Sequence, residues 1–178
     1  MRIGAVVAVA ILIGLGVWLI VRGGSSDSGS GTPASVTPLA PVAATQSDIR
    51  QLSEQVGRPI YWLGAQNGKV YELQRTSQDR IYVRYLPPSA KIGTTRAAYA
   101  LVGTYPVHNA YSVLKGLAKN SGEATFTAPH GAVAVYSDSR PTNIYLAYPG
   151  SDVQIEVYDP DAAKARSLVT SGRIVPVD

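Results

Sequence analysis

Side chains that could act as metal ligands or nucleophiles are few and widely separated in this chain. The two histidines, His108 and His130, belong to different segments, and the 178 residues include no cysteine. A metal site needs several nitrogen, sulfur or carboxylate ligands close together, so neither a metal nor a cofactor is predicted. Two isolated histidines also give no basis for a Ser-His-Asp triad, and the G-x-S-x-G motif is absent.

Carboxylates are the remaining candidates for catalysis. Asp152 and Glu156 belong to one predicted strand, and a pair of carboxylates across a cleft is what glycoside hydrolysis requires. Pairing of one of them with Arg84 or Arg140 is the simpler interpretation. A cell-envelope hydrolase that uses Asp152 or Glu156 is therefore the alternative function.

Patterns for binding phosphates or nucleic acid are weak. Neither G-x-x-x-x-G-K-[ST] nor G-x-G-x-x-G occurs. Basic and aromatic residues alternate over residues 80–85, as in single-strand binders, but the external location predicted below argues against nucleic acid as a partner. The formal net charge of +4 comes from scattered single residues, which is typical of a solvated surface.

Tyrosine is the most distinctive residue type, with eleven tyrosines against one phenylalanine. Alternation along the predicted strands places apolar side chains such as Ile81 and Val83 on one face of a sheet. The other face is predicted to display polar and aromatic side chains that could bind a partner: Glu72, Gln74, Tyr82, Arg84, Tyr145, Gln154, Glu156 and Tyr158. Tyrosine suits recognition surfaces, although it is also simply a good strand former on a solvated sheet.

The elements that must position these side chains follow from periodicity and turn signals. Three helices are predicted. The first covers 47–56, with Thr45 and Asp48 as its start signal, and the second covers 109–120. The third begins after Asp159, which is its predicted cap, and ends at Gly172. Strands are predicted at 60–63, 69–76, 80–86, 99–107, 124–127, 132–137, 143–148, 153–158 and 174–177. This order predicts an α+β fold with an antiparallel sheet, helices packed on one face, and internal duplication of an α-β-β-β-β unit.

A hydrophobic segment precedes this domain. Residues 3–21 carry no charge, and a helix of that length would span roughly 28 Å, close to the thickness of a bilayer core. Residues 1–22 are therefore predicted to be a transmembrane signal-anchor helix. A cleaved signal peptide and a buried soluble helix are the competing interpretations, but no A-x-A-like site follows directly and the segment has no polar face.

Residues 23–45 are rich in Gly, Ser, Thr and Pro, which predicts a flexible linker, and residues 46–178 form the predicted globular domain. Arg2 precedes the apolar segment and Arg22 follows it, so positive charge does not predict which end of the segment faces the cytoplasm. The stalk-like linker and the short N-terminus favour a single-pass protein of the cell membrane with its C-terminal domain outside the cytoplasm.

A set of short motifs resembles a group of uncharacterised membrane-anchored proteins of actinobacteria. The motifs are YWLG at 61–64, YELQRT at 71–76, YVRYLPP at 82–88, GTYP at 103–106, YPGSD at 148–152 and EVYDP at 156–160. The resemblance extends from residue 58 to about residue 177. It implies a shared fold and location, and it carries no activity or functional residue.

The sequence therefore predicts a non-enzymatic, membrane-tethered extracytoplasmic domain. It would bind an envelope protein or polymer through the tyrosine-rich sheet face, while residues 3–21 contact the membrane. The alternatives are the hydrolase and a structural module of a membrane complex.

Overall fold

The computed structural model describes residues 36–178, which form one unit of structure. The predicted anchor at 3–21 and most of the predicted linker lie outside the described residues. Within residues 36–178, no helix combines the length and the apolar character needed to cross a bilayer.

An eight-stranded antiparallel sheet dominates the domain. The strands of the domain are β1 Leu39–Ala44, β2 Tyr61–Trp62, β3 Val70–Arg75, β4 Ile81–Leu86, β5 Leu101–Pro106, β6 Glu123–Thr127, β7 Val133–Ser137, β8 Asn143–Ala147, β9 Val153–Tyr158 and β10 Val175–Pro176. The large sheet has the spatial order β1-β3-β4-β5-β9-β8-β7-β6, and a separate ladder pairs β2 with β10. The α+β class predicted from the sequence is confirmed.

Three α-helices accompany the sheet: α1 Gln46–Val56, α2 Ala110–Leu117 and α3 Ala162–Thr170, with a short 3-10 turn at Pro129–Gly131. The Thr45–Asp48 signal forms a complete capping box at the start of α1. The prediction that Asp159 caps α3 is wrong by two residues. The Asp161 carboxylate accepts the backbone N–H groups of Ala163 and Lys164, whereas Asp159 accepts that of Asp161.

Strand β1 belongs to the domain although it precedes residue 46, where the domain was predicted to begin. The strand lies in the predicted linker, yet it pairs with β3, for example Val42 with Leu73 and Ala44 with Tyr71. It is an edge strand with a register shift between Leu39 and Val42, and Pro41 falls within that interval. Proline is tolerated there because an edge strand leaves one row of N–H groups unpaired.

The helices pack on both faces of the sheet, so the prediction of a single covered face is wrong. Helices α1 and α3 bury Ile49 and Val169 in the main core against one face. Helix α2 buries Leu114 against Val135 and Ala147 of the other face. The reason is that β7 and β8 carry small apolar side chains on this second face, which gives the apolar stripe of α2 a surface to cover.

Strands β5 and β9 form the centre of the sheet and are buried on both faces. They pair antiparallel from Leu101 opposite Tyr158 to Pro106 opposite Val153. Five consecutive residues of each strand are buried, including the polar Thr104, Gln154 and Glu156. This central pair places a carboxyl group inside the domain, and the candidate site is built around it.

Candidate functional site

The strand register places all eight predicted binding residues on the face of the sheet that α2 also contacts. One cross-strand row runs through Gln74, Tyr82, Gly103, Glu156 and Tyr145. A second row holds Glu72, Arg84 and Tyr158, and a third pairs Tyr105 with Gln154. The prediction that this face is displayed to solvent is wrong for Glu72, Gln154 and Glu156, which are at most 1% exposed. The segment 87–100 covers Glu72, and the side chains of Tyr105, Asn143 and Tyr145 surround Glu156.

Three residues of the first row and Tyr105 of the third form a tyrosine cluster, which we define as Tyr82, Tyr105, Tyr145 and Glu156. Tyr82 and Tyr145 are half-buried, whereas Tyr105 and Glu156 are fully buried. The rings of Tyr82 and Tyr105 meet edge to face with their centroids 5.8 Å apart. This is a favourable arrangement for aromatic pairs, so the cluster holds its rings in defined positions.

Glycine at position 103 allows the cluster to close. A Cβ atom at Gly103 would lie 2.7 Å from the hydroxyl oxygen of Tyr105. The tyrosine ring therefore leans back over the glycine, along its own strand, and its hydroxyl donates a hydrogen bond to the Glu156 carboxylate. The Asn143 side chain donates to the other carboxylate oxygen at 2.5 Å.

The Glu156 carboxyl group titrates far from its ordinary range. Burial raises the pKa of Glu156 to about 7 from 4.5. Hydrogen bonds from Tyr105, Asn143 and Tyr145 and the positive charge of Arg80 lower it, but they offset only part of the cost of removing a carboxylate from water. Near neutral pH the group therefore exists in both protonation states.

The surroundings of Glu156 also suppress ionisation of the tyrosines. Burial, and then the nearby Glu156 carboxylate, raises the pKa of Tyr105 and of Tyr145. Burial raises the pKa of Tyr82 as well. Their hydroxyl groups therefore stay protonated at neutral pH and can donate hydrogen bonds. The Arg80 guanidinium lies 5.5 Å from the centroid of the Tyr105 ring, at a distance suited to a cation–π contact.

The second row forms a different structure, a clamp on the segment 87–100. Arg84 pairs with the buried Glu72 carboxylate at 2.6 Å and also donates to the backbone oxygens of Thr94 and Arg96, at 2.9 Å each. Glu72 accepts the backbone N–H of Gly93 at 2.5 Å. The predicted pairing of Arg84 with Asp152 or Glu156 is therefore wrong. We call the two side chains that hold this segment, Glu72 and Arg84, the loop clamp.

The remaining predicted binding residues have separate placements. The hydroxyl of Tyr158 donates to the backbone oxygen of Ala97 at 2.5 Å, which adds a fourth hydrogen bond to the same segment. Gln74 is half-buried next to Tyr82 in the ladder. Gln154 is fully buried, and neither polar atom of its side chain has a hydrogen-bond partner within residues 36–178.

The carboxylates considered for hydrolysis do not share a cleft. The side chain of Asp152 is 66% exposed, accepts the backbone N–H of Asn109 and lies 3.2 Å from His108. The side chain of Asn109 makes no capping hydrogen bond at the start of α2. Two clefts, of about 290 Å³ and 370 Å³, are lined by neither Asp152 nor Glu156. Within the described part of the chain, no three His, Cys, Asp or Glu residues are grouped as a metal site.

Sequence reasoning missed four residues of the site: Arg80, Gly103, Tyr105 and Asn143. Gly103 and Tyr105 stand two positions apart in a strand, the spacing at which both face the same side. That spacing was a usable signal that Tyr105 could fold back over a missing side chain. The pairing of β5 with β9, which brings Glu156 to this place, joins residues about fifty positions apart and left no local signal.

The motifs that resemble actinobacterial membrane proteins are distributed across this framework. YELQRT covers β3 and YVRYLPP covers β4, while EVYDP joins the end of β9 to the approach to α3. That resemblance stays a prediction. Comparison of the chain with protein-family models, curated proteins and solved structures found no match.

Proposed function

We propose that this protein is a non-enzymatic, membrane-tethered extracytoplasmic module that binds an acidic segment of a protein partner. The binding surface would be the outward part of the tyrosine cluster, Tyr82 and Tyr145, with Arg80 and Arg140 beside it. The observation that carries the proposal is the convergence of tyrosine side chains from β4, β5 and β8 on one buried carboxyl group.

Rigidity favours recognition by this surface. Tyr105 and Glu156 are buried and hydrogen-bonded, and they support Tyr82 and Tyr145 from below. Side chains that are already ordered lose little conformational entropy when a partner binds. Tyrosine and arginine are also the residue types enriched at protein interfaces.

Charge indicates the chemistry of the partner. Arg80 is half-buried and Arg140 is exposed, and neither belongs to an ion pair with a carboxylate among the described residues. The raised pKa of Glu156 leaves that group only partly ionised near neutral pH, so it offsets only part of their charge. A surface of this kind attracts acidic segments and repels basic ones.

A hydrolase that uses Glu156 is the second candidate. The pKa of about 7 would suit a general acid or base. A general acid or base must reach its substrate, however, and Glu156 is 0% exposed. The binding module therefore agrees better with the geometry than the enzyme does.

The tether and the location rest on the sequence. The uncharged residues 3–21 support a membrane anchor, and the composition of the linker supports an extracytoplasmic domain. A structural module of a membrane complex would use the same anchor as an interface. Exchange of residues 3–21 for an unrelated membrane span would abolish function for such a module and leave a tethered binder active.

Internal duplication is part of the same proposal. The strand order supports it, because β5, β4 and β3 extend from the sheet centre on one side as β9, β8 and β7 do on the other. Strand β2 departs from the pattern, since it pairs with β10 outside the main sheet whereas β6 extends it.

The test is crosslinking on intact cells with a membrane-impermeant reagent, followed by identification of the crosslinked peptides. The tagged full chain is compared with Tyr82→Ala/Tyr145→Ala and with Tyr61→Ala/Tyr136→Ala, a control that removes two half-buried tyrosines elsewhere. We expect one partner, joined through an acidic segment, for the wild type and the control, and its loss in the first variant.

Three outcomes would contradict the proposal. Crosslinks that persist in Tyr82→Ala/Tyr145→Ala would exclude the tyrosine cluster as the contact surface. Labelling without any protein partner would favour an envelope polymer or an enzyme. Labelling only after lysis would place the domain in the cytoplasm. Glu156 is left intact in this design, because its burial makes a folding defect the expected effect of its removal.

A further inference from the structure

A cleft of about 370 Å³ lies at one end of the sheet, and Glu156 is not part of its lining. It opens where β3 begins and β4 ends, and α3 forms one of its walls. Its lining is Leu63, Gln66, Lys69, Tyr85, Ala98, Tyr99, Ala100, Asp159, Pro160, Lys164, Ser167, Leu168 and Arg173. We call it the basic cleft.

The basic cleft gathers positive charge from three separate segments of the chain. Lys69 precedes β3, Lys164 belongs to α3, and Arg173 follows α3. None of them is among the ion pairs found within residues 36–178. The carboxylate in the lining is Asp159, which already accepts the backbone N–H of Asp161 at 2.9 Å. Three cations and one carboxylate leave a net charge of +2.

Neutral hydrogen-bonding groups complete the lining. The side chains of Gln66, Tyr99 and Ser167 face the cleft and make no side-chain hydrogen bond to other described residues. The Tyr85 hydroxyl is already engaged, since it accepts the backbone N–H of Leu63 at 2.6 Å. The floor is therefore fixed, and the groups around it are available to a ligand.

We propose that the basic cleft binds the phosphate group of a phosphorylated ligand. A phosphate monoester carries a charge of about −1.5 to −2 at pH 7, which matches the net charge of the lining. Its three terminal oxygens can accept hydrogen bonds from a guanidinium, from ammonium groups and from hydroxyl or amide donors together. The cleft supplies each of these donor types.

The experiment titrates the full chain, in a neutral detergent, with glycerol 2-phosphate and follows binding by isothermal calorimetry. We expect saturable binding that weakens as the pH falls from 7.5 to 5, because the phosphate then loses charge. Lys164→Ala/Arg173→Ala should weaken binding by about tenfold or more, since it removes charge-assisted hydrogen bonds. Arg50→Ala/Lys119→Ala is the matched control, because it removes one exposed arginine and one exposed lysine outside the cleft.

A second arm compares glycerol 2-phosphate with a short-chain phosphatidic acid below its micelle concentration. Equal affinity would assign the site to a free phosphate, and tighter binding of the lipid would assign it to a headgroup. Lys69→Ala provides a second test if the double variant fails to fold. Absence of binding to both compounds, or equal binding by wild type, Lys69→Ala and the double variant, would overturn the proposal.

Discussion

Gly103 lies directly opposite Glu156 in the central ladder of the sheet, and its missing side chain is what lets Tyr105 reach the buried carboxylate. A glycine in a central strand normally weakens a sheet, because it orders a flexible backbone without contributing a side chain to packing. Here the space above the glycine is filled by the ring of Tyr105. The tyrosine cluster therefore depends on the absence of a side chain at position 103.

Replacement of Gly103 by alanine tests this dependence. The new methyl group would lie 2.7 Å from the hydroxyl oxygen of Tyr105, whose side chain is buried at 1% exposure. We expect a loss of about 1–3 kcal/mol in the free energy of unfolding, measured by urea denaturation. Gly116→Ala is the matched control, because no atom beyond its chain neighbours and the backbone of its own helix lies within 4 Å of the added Cβ. It should stabilise α2 by about 0.5–1 kcal/mol.

A double-mutant cycle isolates the steric cause. Tyr105→Phe removes the hydroxyl oxygen, which is the nearest atom to the added Cβ, and should itself cost stability because Glu156 loses a hydrogen bond. If the clash is the cause, Gly103→Ala should cost less in the Tyr105→Phe background than alone. Strictly additive losses would mean that glycine is needed at this position for another reason.

Stability should depend on pH through Glu156. Its pKa is about 7 in the folded protein and 4.5 ordinarily, so the folded state binds the proton more tightly. The resulting stabilisation is complete below pH 4.5 and is lost as the pH rises to about 7. It amounts to about 3 kcal/mol. Chemical denaturation across pH 4.5 to 8 should show this loss in the wild type and not in Glu156→Gln.

The free energy of unfolding is plotted against pH for the wild type and for Glu156→Gln, and the second curve is subtracted from the first. Contributions of titrating groups that both proteins share then cancel. Burial raises the pKa of Asp79, but hydrogen bonds and charge from Arg58 and Arg75 outweigh it and lower that pKa below 3.8. The contribution of Asp79 is therefore present above that value and is lost only at lower pH, outside the window. A flat difference between the two curves would show that Glu156 titrates normally in the folded protein.

Loss of the loop clamp should free the segment 87–100. Arg84→Met leaves the buried Glu72 carboxylate without its charge partner, which should cost about 3–5 kcal/mol. Hydrogen exchange should become faster in 87–100, because Arg84 also holds the backbone of Thr94 and Arg96.

The matched variant Glu72→Leu/Arg84→Met separates the effect on the stability of the domain from the effect on the attachment of the segment 87–100. It removes the unpaired charge, so most of the stability should return. The segment 87–100 should nevertheless exchange rapidly, because its contacts to the guanidinium are absent in both variants. Slow exchange in the double variant would assign the attachment to other contacts, such as that of Tyr158 with Ala97.

Strand β1 should contribute to the stability of the domain. A chain that begins at residue 45 retains the Thr45 cap of α1 but loses the strand that pairs with β3. We expect a lower melting temperature than for a chain that begins at residue 36, because Leu73 and the ladder edge of β3 become exposed. Equal melting temperatures would return the segment 36–44 to the linker.

Periodicity and capping signals were enough to locate most of the strands and helices, because they are local properties of the chain. The alternation in β4 and the capping box at Thr45 each depend on neighbouring residues, and both occur as predicted. Strand β1 was missed because two prolines and three alanines in 38–44 are typical of a linker. Only pairing with β3 gives that segment a regular structure.

The sequence by itself determined that Glu72, Tyr82, Arg84 and Glu156 point to one side of an antiparallel sheet, since alternation in a strand leaves no other choice. It could not determine whether that side meets solvent. Burial of Glu156 depends on the pairing of β5 with β9, on the fold of Tyr105 over Gly103 and on the side chain of Tyr145, which packs against the cluster of α2. These are contacts between distant residues, so only the tertiary structure decides them, and they turn a predicted surface carboxylate into a buried group with a pKa near 7.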